Sequence, residues 1–179
     1  MKLNTLVIDN FLDNPDEIRN CLINNKVSFE NSGRYPGKRT SCVDNIDYQN
    51  MIIQKLESVL PFKIKMAELS FSFQLCLSDV ESWVHVDPYD WTGVLYLTPN
   101  APVKSGTLFF VADDEINEFI SKDPMNTIKK ESTLESVIGN VYNRMLLFRG
   151  DIPHKSNLAG FGDCLENGRL TQVFFFDEV

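Results

Sequence analysis

The chain has 179 residues, of which 43% are hydrophobic and 23% charged, a composition typical of a folded protein and not of a disordered segment. Acidic residues number 25 against 17 basic ones, giving a net charge of −8, which disfavours nucleic acid and anionic membranes as partners because both are negatively charged. We expect a single domain over 1–179 whose partners include neither.

The first 65 residues are predicted to form a mainly helical support. A short strand is expected at 6–8, and the following DNPDEIRNCLI contains Pro15 and the capping and acidic residues of a helix start. Residues 46–60 carry apolar side chains at helical spacing. The basic loop GRYPGKRT, residues 33–40, is interpreted as solvated, with a rim for an acidic ligand as the alternative.

From about residue 68 the hydrophobic period changes to two, which predicts strands. Phe71, Phe73, Leu75 and Leu77 alternate with polar or small residues, as in a half-buried strand. Further strands are predicted near 82–87, 92–98 and 107–112 and in VYNRMLLF, IPHKSNL and RLTQVFFF, whereas 113–138 are expected to be partly helical. So many short strands favour a mainly β core of the sandwich or jelly-roll kind.

The cysteines and the apolar segments bear on the compartment. Cys21, Cys42, Cys76 and Cys164 are scattered without a CxxC motif, which favours reduced thiols over a zinc knuckle or a disulfide framework. No signal peptide is recognisable at the N-terminus, and no apolar run is long enough to span a bilayer. A cytoplasmic protein is therefore predicted.

The chain contains only two histidines, and both fit a metal-ligand pattern. His85 and Asp87, in WVHVDPYDW, are two positions apart, so that on a strand they point to the same face. His154 follows much later, in RGDIPHKSN. Two imidazoles and one carboxylate form the facial triad that suits non-haem Fe(II) and leaves coordination positions open. The alternatives are a hydrogen-bonded surface pair and a turn histidine without a role.

Arg169 and Thr171, in GRLTQVFFF, are predicted to share a strand face with Val173 and Phe175. A guanidinium in apolar surroundings needs an anionic partner, supplied either by a protein carboxylate or by a ligand. Arginine suits a ligand carboxylate because its planar fork makes two parallel hydrogen bonds. Thr171 could donate a third.

The order HxD, then His, then RxT resembles the Fe(II)/2-oxoglutarate-dependent oxygenases, most closely their prolyl-hydroxylase-like branch. The resemblance covers about residues 66–179 and includes the segments GVLYLTP, SGTLFF, NRMLLFRGDIPH and RLTQVFFFD. It implies a double-stranded β-helix, or jelly-roll, core at 66–179 behind the N-terminal helices. It also implies that His85, Asp87 and His154 are the catalytic iron ligands, and that Arg169, assisted by Thr171, binds the distal carboxylate of 2-oxoglutarate.

The activity implied by this resemblance is that of a dioxygenase using Fe(II), 2-oxoglutarate and O2. It would hydroxylate a C–H bond of an unidentified peptide or small molecule, with succinate and CO2 as co-products. Asp87 favours hydroxylation because it fills the position that halogenating relatives leave vacant. The alternatives are a jelly-roll metal-binding or interaction module without turnover, and a cupin-like metalloenzyme that does not use 2-oxoglutarate.

Some features differ from the family pattern or allow two interpretations. Relatives often place a co-substrate tyrosine where this chain has Leu75 and Leu95, and the insert LAGFGDCLENG, residues 158–168, is unusually long. We interpret the insert as a flexible lip. Aromatic residues flank the metal pair and either line a cleft or pack in the core: Trp83, Tyr89 and Trp91. Arg144 is predicted to form a structural salt bridge, with carboxylate binding as the alternative.

Overall fold

The computed structural model describes residues 3–31, 33, 35–111, 133–158 and 160–179. These residues form two antiparallel sheets and two helices. The strands are β1 (Thr5–Ile8), β2 (Lys38–Arg39), β3 (Ile64–Met66), β4 (Ser72–Cys76), β5 (Trp91–Tyr96), β6 (Thr107–Phe110), β7 (Leu134–Ile138), β8 (Met145–Arg149), β9 (His154–Ser156) and β10 (Arg169–Glu178). The helices are α1 (Pro15–Asn24) and α2 (Ile46–Val59), and a short 3-10 helix spans Val103–Ser105.

The larger sheet has seven strands in the order β1-β8-β5-β10-β4-β2, with β3 pairing to the far end of β10. Strand β10 lies at its centre, between β4 and β5, and its side chains alternate between the two faces. Leu170, Phe174 and Phe176 belong to the main hydrophobic core. Thr171 and Val173, between them in sequence, line a pocket on the opposite face.

Helices α1 and α2 cover the core face of this sheet. Leu22 of α1 and Ile52 and Leu56 of α2 are buried in the same core as the sheet residues. Helix α2 begins after Asn45, whose side chain accepts a hydrogen bond from Tyr48 N at 2.9 Å, a typical N-terminal cap. Neither helix is long and apolar enough to cross a membrane.

The smaller sheet has three strands in the order β7-β6-β9. An antiparallel bridge between His154 of β9 and His85 extends it by one residue pair. The two sheets lie on opposite sides of the pocket, and this mainly β architecture with supporting helices is the jelly roll predicted from the strand pattern. The predicted fold class is confirmed.

Several local predictions differ from the structure. Residues 134–138 form β7, although 113–138 were expected to be partly helical, and the remainder of that segment from 113 to 132 lies outside the described residues. The strand predicted near 82–87 is reduced to bridging residues. Strand β4 is buried on both faces and not half-buried. Its polar face is covered by the loop before β2, where Pro36 O accepts a hydrogen bond from Gln74 Nε2 at 2.6 Å.

The segment 1–65, predicted as a helical support, also contributes strands. Both helices lie within it, but β1 pairs with β8 and β2 pairs with β4, so that two of its strands are edges of the larger sheet. Leu12 N donates to Asn143 Oδ1 and Asn143 Nδ2 donates to Leu12 O, each at 2.8 Å, and these hydrogen bonds attach the chain before α1 to the core. The assignment of the whole chain to a single domain stays a prediction.

Candidate active site

A pocket of about 500 Å³ lies between the two sheets. This volume is within the range of small-molecule binding sites in proteins. All five residues singled out from the sequence line it: His85, Asp87, His154, Arg169 and Thr171. This pocket is therefore the candidate active site.

His85, Asp87 and His154 form a compact cluster in the pocket, with one potential ligand atom of each within 4.8 Å of the others. The Nε2 atom of His154 is 3.4 Å from Oδ2 of Asp87, and that of His85 is 4.0 Å from Oδ1. The backbones of the two histidines are bonded reciprocally, with N···O distances of 3.0 and 2.9 Å. The cluster is thus held by main-chain hydrogen bonds.

Backbone carbonyls orient both imidazole rings. His85 Nδ1 is 3.0 Å from Trp83 O, and His154 Nδ1 is 2.9 Å from Ile152 O. Because a carbonyl can only accept, each Nδ1 is the donor, and a neutral ring is left with its lone pair on Nε2. Such hydrogen bonds fix the tautomer and the orientation of metal-binding histidines. Two lone pairs and a carboxylate therefore converge, an arrangement that a cation stabilises.

Asp87 is held through both its side chain and its main chain. The hydroxyl of Thr92 donates a hydrogen bond of 2.6 Å to Oδ2, and Asp87 N donates to Gly150 O at 2.8 Å. A Cβ atom at position 150 would collide with Tyr89 O and lie 2.9 Å from Asp87 O. Only glycine fits so close to this turn, which explains why residue 150 is a glycine.

The protonation states of Asp87 and His85 suit metal binding at neutral pH. Burial raises the pKa of Asp87, but in acid the hydrogen bond and charge of protonated His154 and the charge of protonated His85 outweigh this effect and lower it to about 2. Burial, followed by the charge of His154, lowers the pKa of His85 to about 4. Asp87 is therefore ionised and His85 neutral, which are the forms that bind metal ions.

Arg169 and Thr171 lie in the same pocket on β10. Arg169 is 5% exposed and donates from Nε to Ser105 O at 3.1 Å. Within the described ranges, no carboxylate lies at ion-pair distance from its guanidinium. The Thr171 hydroxyl is buried without a hydrogen-bond partner among these residues. A buried cation and an unsatisfied hydroxyl on one strand face provide a site for an anionic oxygen-rich group.

Arg39 also lines the pocket, and the interpretation of loop 33–40 as solvated is wrong for this residue. Its Nη2 donates to Gln74 Oε1 at 3.0 Å, and its Cζ lies 4.1 Å from the centroid of the Tyr35 ring. Burial lowers the pKa of Arg39, and the charge of Asp87 opposes this effect. Arg39 lies in the pocket because β2 pairs with β4. No local pattern in GRYPGKRT predicts this pairing.

The structure separates the remaining aromatic and arginine candidates. Trp83 and Tyr89 line the pocket, whereas Trp91 is 1% exposed and belongs to the core between the sheet and the helices. Arg144 binds both carboxylate oxygens of Asp9, with distances of 2.6 and 2.9 Å. The prediction of a structural salt bridge for Arg144 is confirmed.

The insert 158–168 does not reach the pocket through any of its described residues. Gly162 O accepts a hydrogen bond of 3.0 Å from Ser78 N, which ties the insert to the chain after β4.

The positions of Leu75 and Leu95 are buried, and a different tyrosine lies near Arg169. The ring of Tyr96 is 5.8 Å from Arg169 Cζ, and its hydroxyl is 2.7 Å from Thr107 Oγ1.

Solved structures of known proteins share this fold. HygX from Streptomyces hygroscopicus, with nickel and 2-oxoglutarate bound, matches with a TM-score of 0.64 and 12% identity, covering 97% of this chain and 82% of that one. A prolyl hydroxylase from Trichoplax adhaerens, in complex with a hypoxia inducible factor peptide, matches with a TM-score of 0.62 and 16% identity. The match covers 97% of this chain and 83% of that one. A Pseudomonas putida prolyl-4-hydroxylase matches with a TM-score of 0.59 and 13% identity, covering 98% of this chain and 93% of that one.

No protein-family model and no curated protein matches the sequence. At identities of 16% or less, the likeness to the solved structures is one of fold. The solved structures that share this fold include prolyl hydroxylases, the branch that the motif order resembles. This chain has the jelly-roll fold that is found in prolyl hydroxylases and in the 2-oxoglutarate-bound protein HygX.

Proposed function

We propose that this protein is a non-haem Fe(II)/2-oxoglutarate-dependent dioxygenase that hydroxylates a C–H bond. The observation that carries the proposal is the meeting of two ligand sets in one pocket. The cluster of His85, Asp87 and His154 occurs there together with Arg169 and Thr171, which have no carboxylate or hydrogen-bond partner, respectively, among the described residues. Neither set alone would distinguish an oxygenase from a simple metal-binding jelly roll.

The three ligand side chains fit Fe(II). Two imidazole nitrogens and one carboxylate on one side of an ion leave three of six octahedral positions open. The carbonyls of Trp83 and Ile152 hold the rings, and the Thr92 hydroxyl holds the carboxylate, so the ligands are oriented by the protein itself. Open positions on an oriented ion are what catalysis requires and what a closed structural metal site lacks.

Arg169 and Thr171 fit the distal carboxylate of 2-oxoglutarate. The guanidinium can make two parallel charge-assisted hydrogen bonds, and the buried hydroxyl of Thr171 supplies a third donor. This pairing accounts for a buried cation that no described carboxylate neutralises. HygX, which has the same fold, binds nickel and 2-oxoglutarate.

A bound Fe(II) and 2-oxoglutarate together supply the chemistry: O2 and 2-oxoglutarate are consumed, the substrate C–H becomes C–OH, and succinate and CO2 are released. The residues of this chain bind, orient and shield. Val94, Val173 and Phe175 line the pocket beside the ligands and limit the access of water. The presence of Asp87 as a third ligand favours hydroxylation.

The primary substrate is a peptide or a small molecule. Both kinds occur among proteins of this fold, since one prolyl hydroxylase was solved with a peptide and HygX with hygromycin B. Trp83 and Tyr89 form an aromatic part of the pocket wall near the metal cluster. A cytoplasmic location stays a prediction from the sequence.

The proposal is tested by adding Fe(II) and 2-oxoglutarate to the purified protein under anaerobic conditions. We expect a weak visible charge-transfer band for wild type and none for His154→Ala. Succinate formation on exposure to O2, stimulated by candidate substrates, then measures turnover. Metal binding without the band would favour a cupin-like or structural metal site, and a band without succinate would favour a module that has lost turnover.

A further inference from the structure

The pocket carries an excess of positive charge. Its described charged lining residues are three cations, Arg39, Lys155 and Arg169, and a single carboxylate, Asp87. The whole chain, in contrast, has a net charge of −8. Cations concentrated in one cleft of an acidic protein raise the local concentration of anionic ligands.

The proposed co-substrate does not neutralise this excess. If the proposed function is correct, a divalent ion and Arg169 balance Asp87 and the two carboxylates of 2-oxoglutarate. Among the described lining residues, Arg39 and Lys155 then remain as uncompensated charges in a partly desolvated pocket. An unpaired buried charge costs free energy, so a further anion is expected there.

Arg39 is placed away from the co-substrate carboxylate by the register of the sheet. Arg39 of β2 lies opposite Gln74 of β4, and Gln74 lies opposite Thr171 of β10. Because neighbouring strands are about 4.8 Å apart, the backbones at Arg39 and Thr171 are separated by about 10 Å. Directly opposed residues point to the same face, so the two side chains line the same pocket at different places.

The Arg39 guanidinium is oriented but not neutralised. It lies 4.1 Å from the Tyr35 ring centroid and 5.7 Å from that of Phe175, and Nη2 donates to Gln74 Oε1. Its Nε is buried without a hydrogen-bond partner, and no described carboxylate pairs with it. Gln74 is itself fixed by donating to Pro36 O at 2.6 Å, so it acts as a positioning residue.

We infer that Arg39, positioned by Gln74 and Tyr35, binds a carboxylate of the primary substrate, which makes that substrate a carboxylic acid. The inference rests on the proposed function and narrows it. A free amino or organic acid is one source of that carboxylate, and an acidic side chain of a peptide offers the same chemistry. The alternative interpretation of loop 33–40, a rim for an acidic ligand, describes this role.

The test is calorimetric binding to full-length protein loaded with Mn(II) and 2-oxoglutarate. The probes are free L-amino acids and small dicarboxylic acids, each compared with its carboxamide, and capped peptides with one internal Glu. We expect at least one acid to bind at least about tenfold more tightly than its amide. Arg39→Gln should abolish that preference, and Arg39→Lys should keep part of it, because a point charge reaches a carboxylate without matching both oxygens.

Lys38→Gln is the matched control, because it removes a cation from the same strand at an exposed position. It should leave the preference unchanged. The inference is overturned if no acid binds, if acid and amide bind equally, or if Arg39→Gln weakens 2-oxoglutarate as much as Arg169→Met does. If only the capped peptides show the preference, the inference that Arg39 binds a carboxylate stands, and the carboxylate is an acidic side chain of a peptide. Failure of 2-oxoglutarate to bind wild type at all would instead contradict the proposed function.

Discussion

Asp87 and His154 are far apart in sequence, yet Oδ2 of one lies 3.4 Å from Nε2 of the other. The backbone hydrogen bonds between His154 and His85 bring about this approach, because they fix the two histidines side by side, with ring centroids 4.4 Å apart. The ligand cluster is therefore a product of strand pairing. A metal ion would enter a site that the folded chain has already assembled.

We predict that the purified protein binds about one Fe(II) or Mn(II) per chain. His85→Ala, Asp87→Ala and His154→Ala should each remove most of the bound metal and all activity, because each leaves only two ligands. Elemental analysis after dialysis measures the metal content. Asp79→Ala, which removes an exposed carboxylate, is the control and should retain full occupancy. Full occupancy and turnover in His154→Ala would mean that the triad is wrongly assigned.

The Thr92 hydroxyl should matter to the metal although it is not a ligand. Thr92→Val removes the 2.6 Å hydrogen bond to Asp87 Oδ2 and keeps the side-chain shape. We expect metal affinity to fall about 10- to 100-fold, the usual effect of losing a hydrogen bond to a ligand. Competition with a chelator measures the affinity. Thr107→Val, whose hydroxyl contacts Tyr96 and not Asp87, should leave the affinity unchanged; equal losses in both variants would argue against a specific role for Thr92.

Residues whose positions depend on strand periodicity were predictable from the sequence. The period of two in RLTQVFFF predicts one face for Arg169, Thr171, Val173 and Phe175, and all four line the pocket. The HxD spacing similarly predicts a common side for His85 and Asp87, which lie together in the structure. Motif order then relates both segments to a known fold. These signals are local, or are carried by a resemblance.

Features that depend on contacts between distant segments were not predictable. Arg39 enters the pocket because the two-residue strand β2 pairs with β4, and nothing in a basic loop indicates this partner. Strand β7 has mostly exposed side chains, so it lacks the hydrophobic alternation that identifies a strand. The region near 82–87 has strand-like residues but pairs only through a bridge. Tertiary pairing decides each case.

Gly150→Ala should damage the metal site through the main chain. Its Cβ would collide with Tyr89 O and displace the turn that holds Asp87. We expect a loss of about 1–3 kcal/mol in the free energy of unfolding, as for overpacked sites, together with weaker metal binding. Denaturant unfolding and chelator competition measure the two effects. Gly33→Ala has free space around Cβ, so it should leave metal binding unchanged, although the left-handed φ of 72° at this position will lower stability. Normal metal affinity in Gly150→Ala would show that the turn does not control Asp87.

Arg169→Met should separate co-substrate binding from metal binding. Stranding one partner of a desolvated charged pair costs about 2–5 kcal/mol, so the affinity for 2-oxoglutarate should fall at least about tenfold while metal content stays normal. Thr171→Val removes one uncharged donor and should cost about 0.5–1.5 kcal/mol. The measurement is calorimetric titration of 2-oxoglutarate into anaerobic protein loaded with Fe(II) or Mn(II). Arg144→Met, which breaks the ion pair with Asp9 and the hydrogen bond to Gly139 O outside the pocket, is the control. Equal affinity in wild type and Arg169→Met would remove the basis for an oxygenase and leave a metal-binding jelly roll.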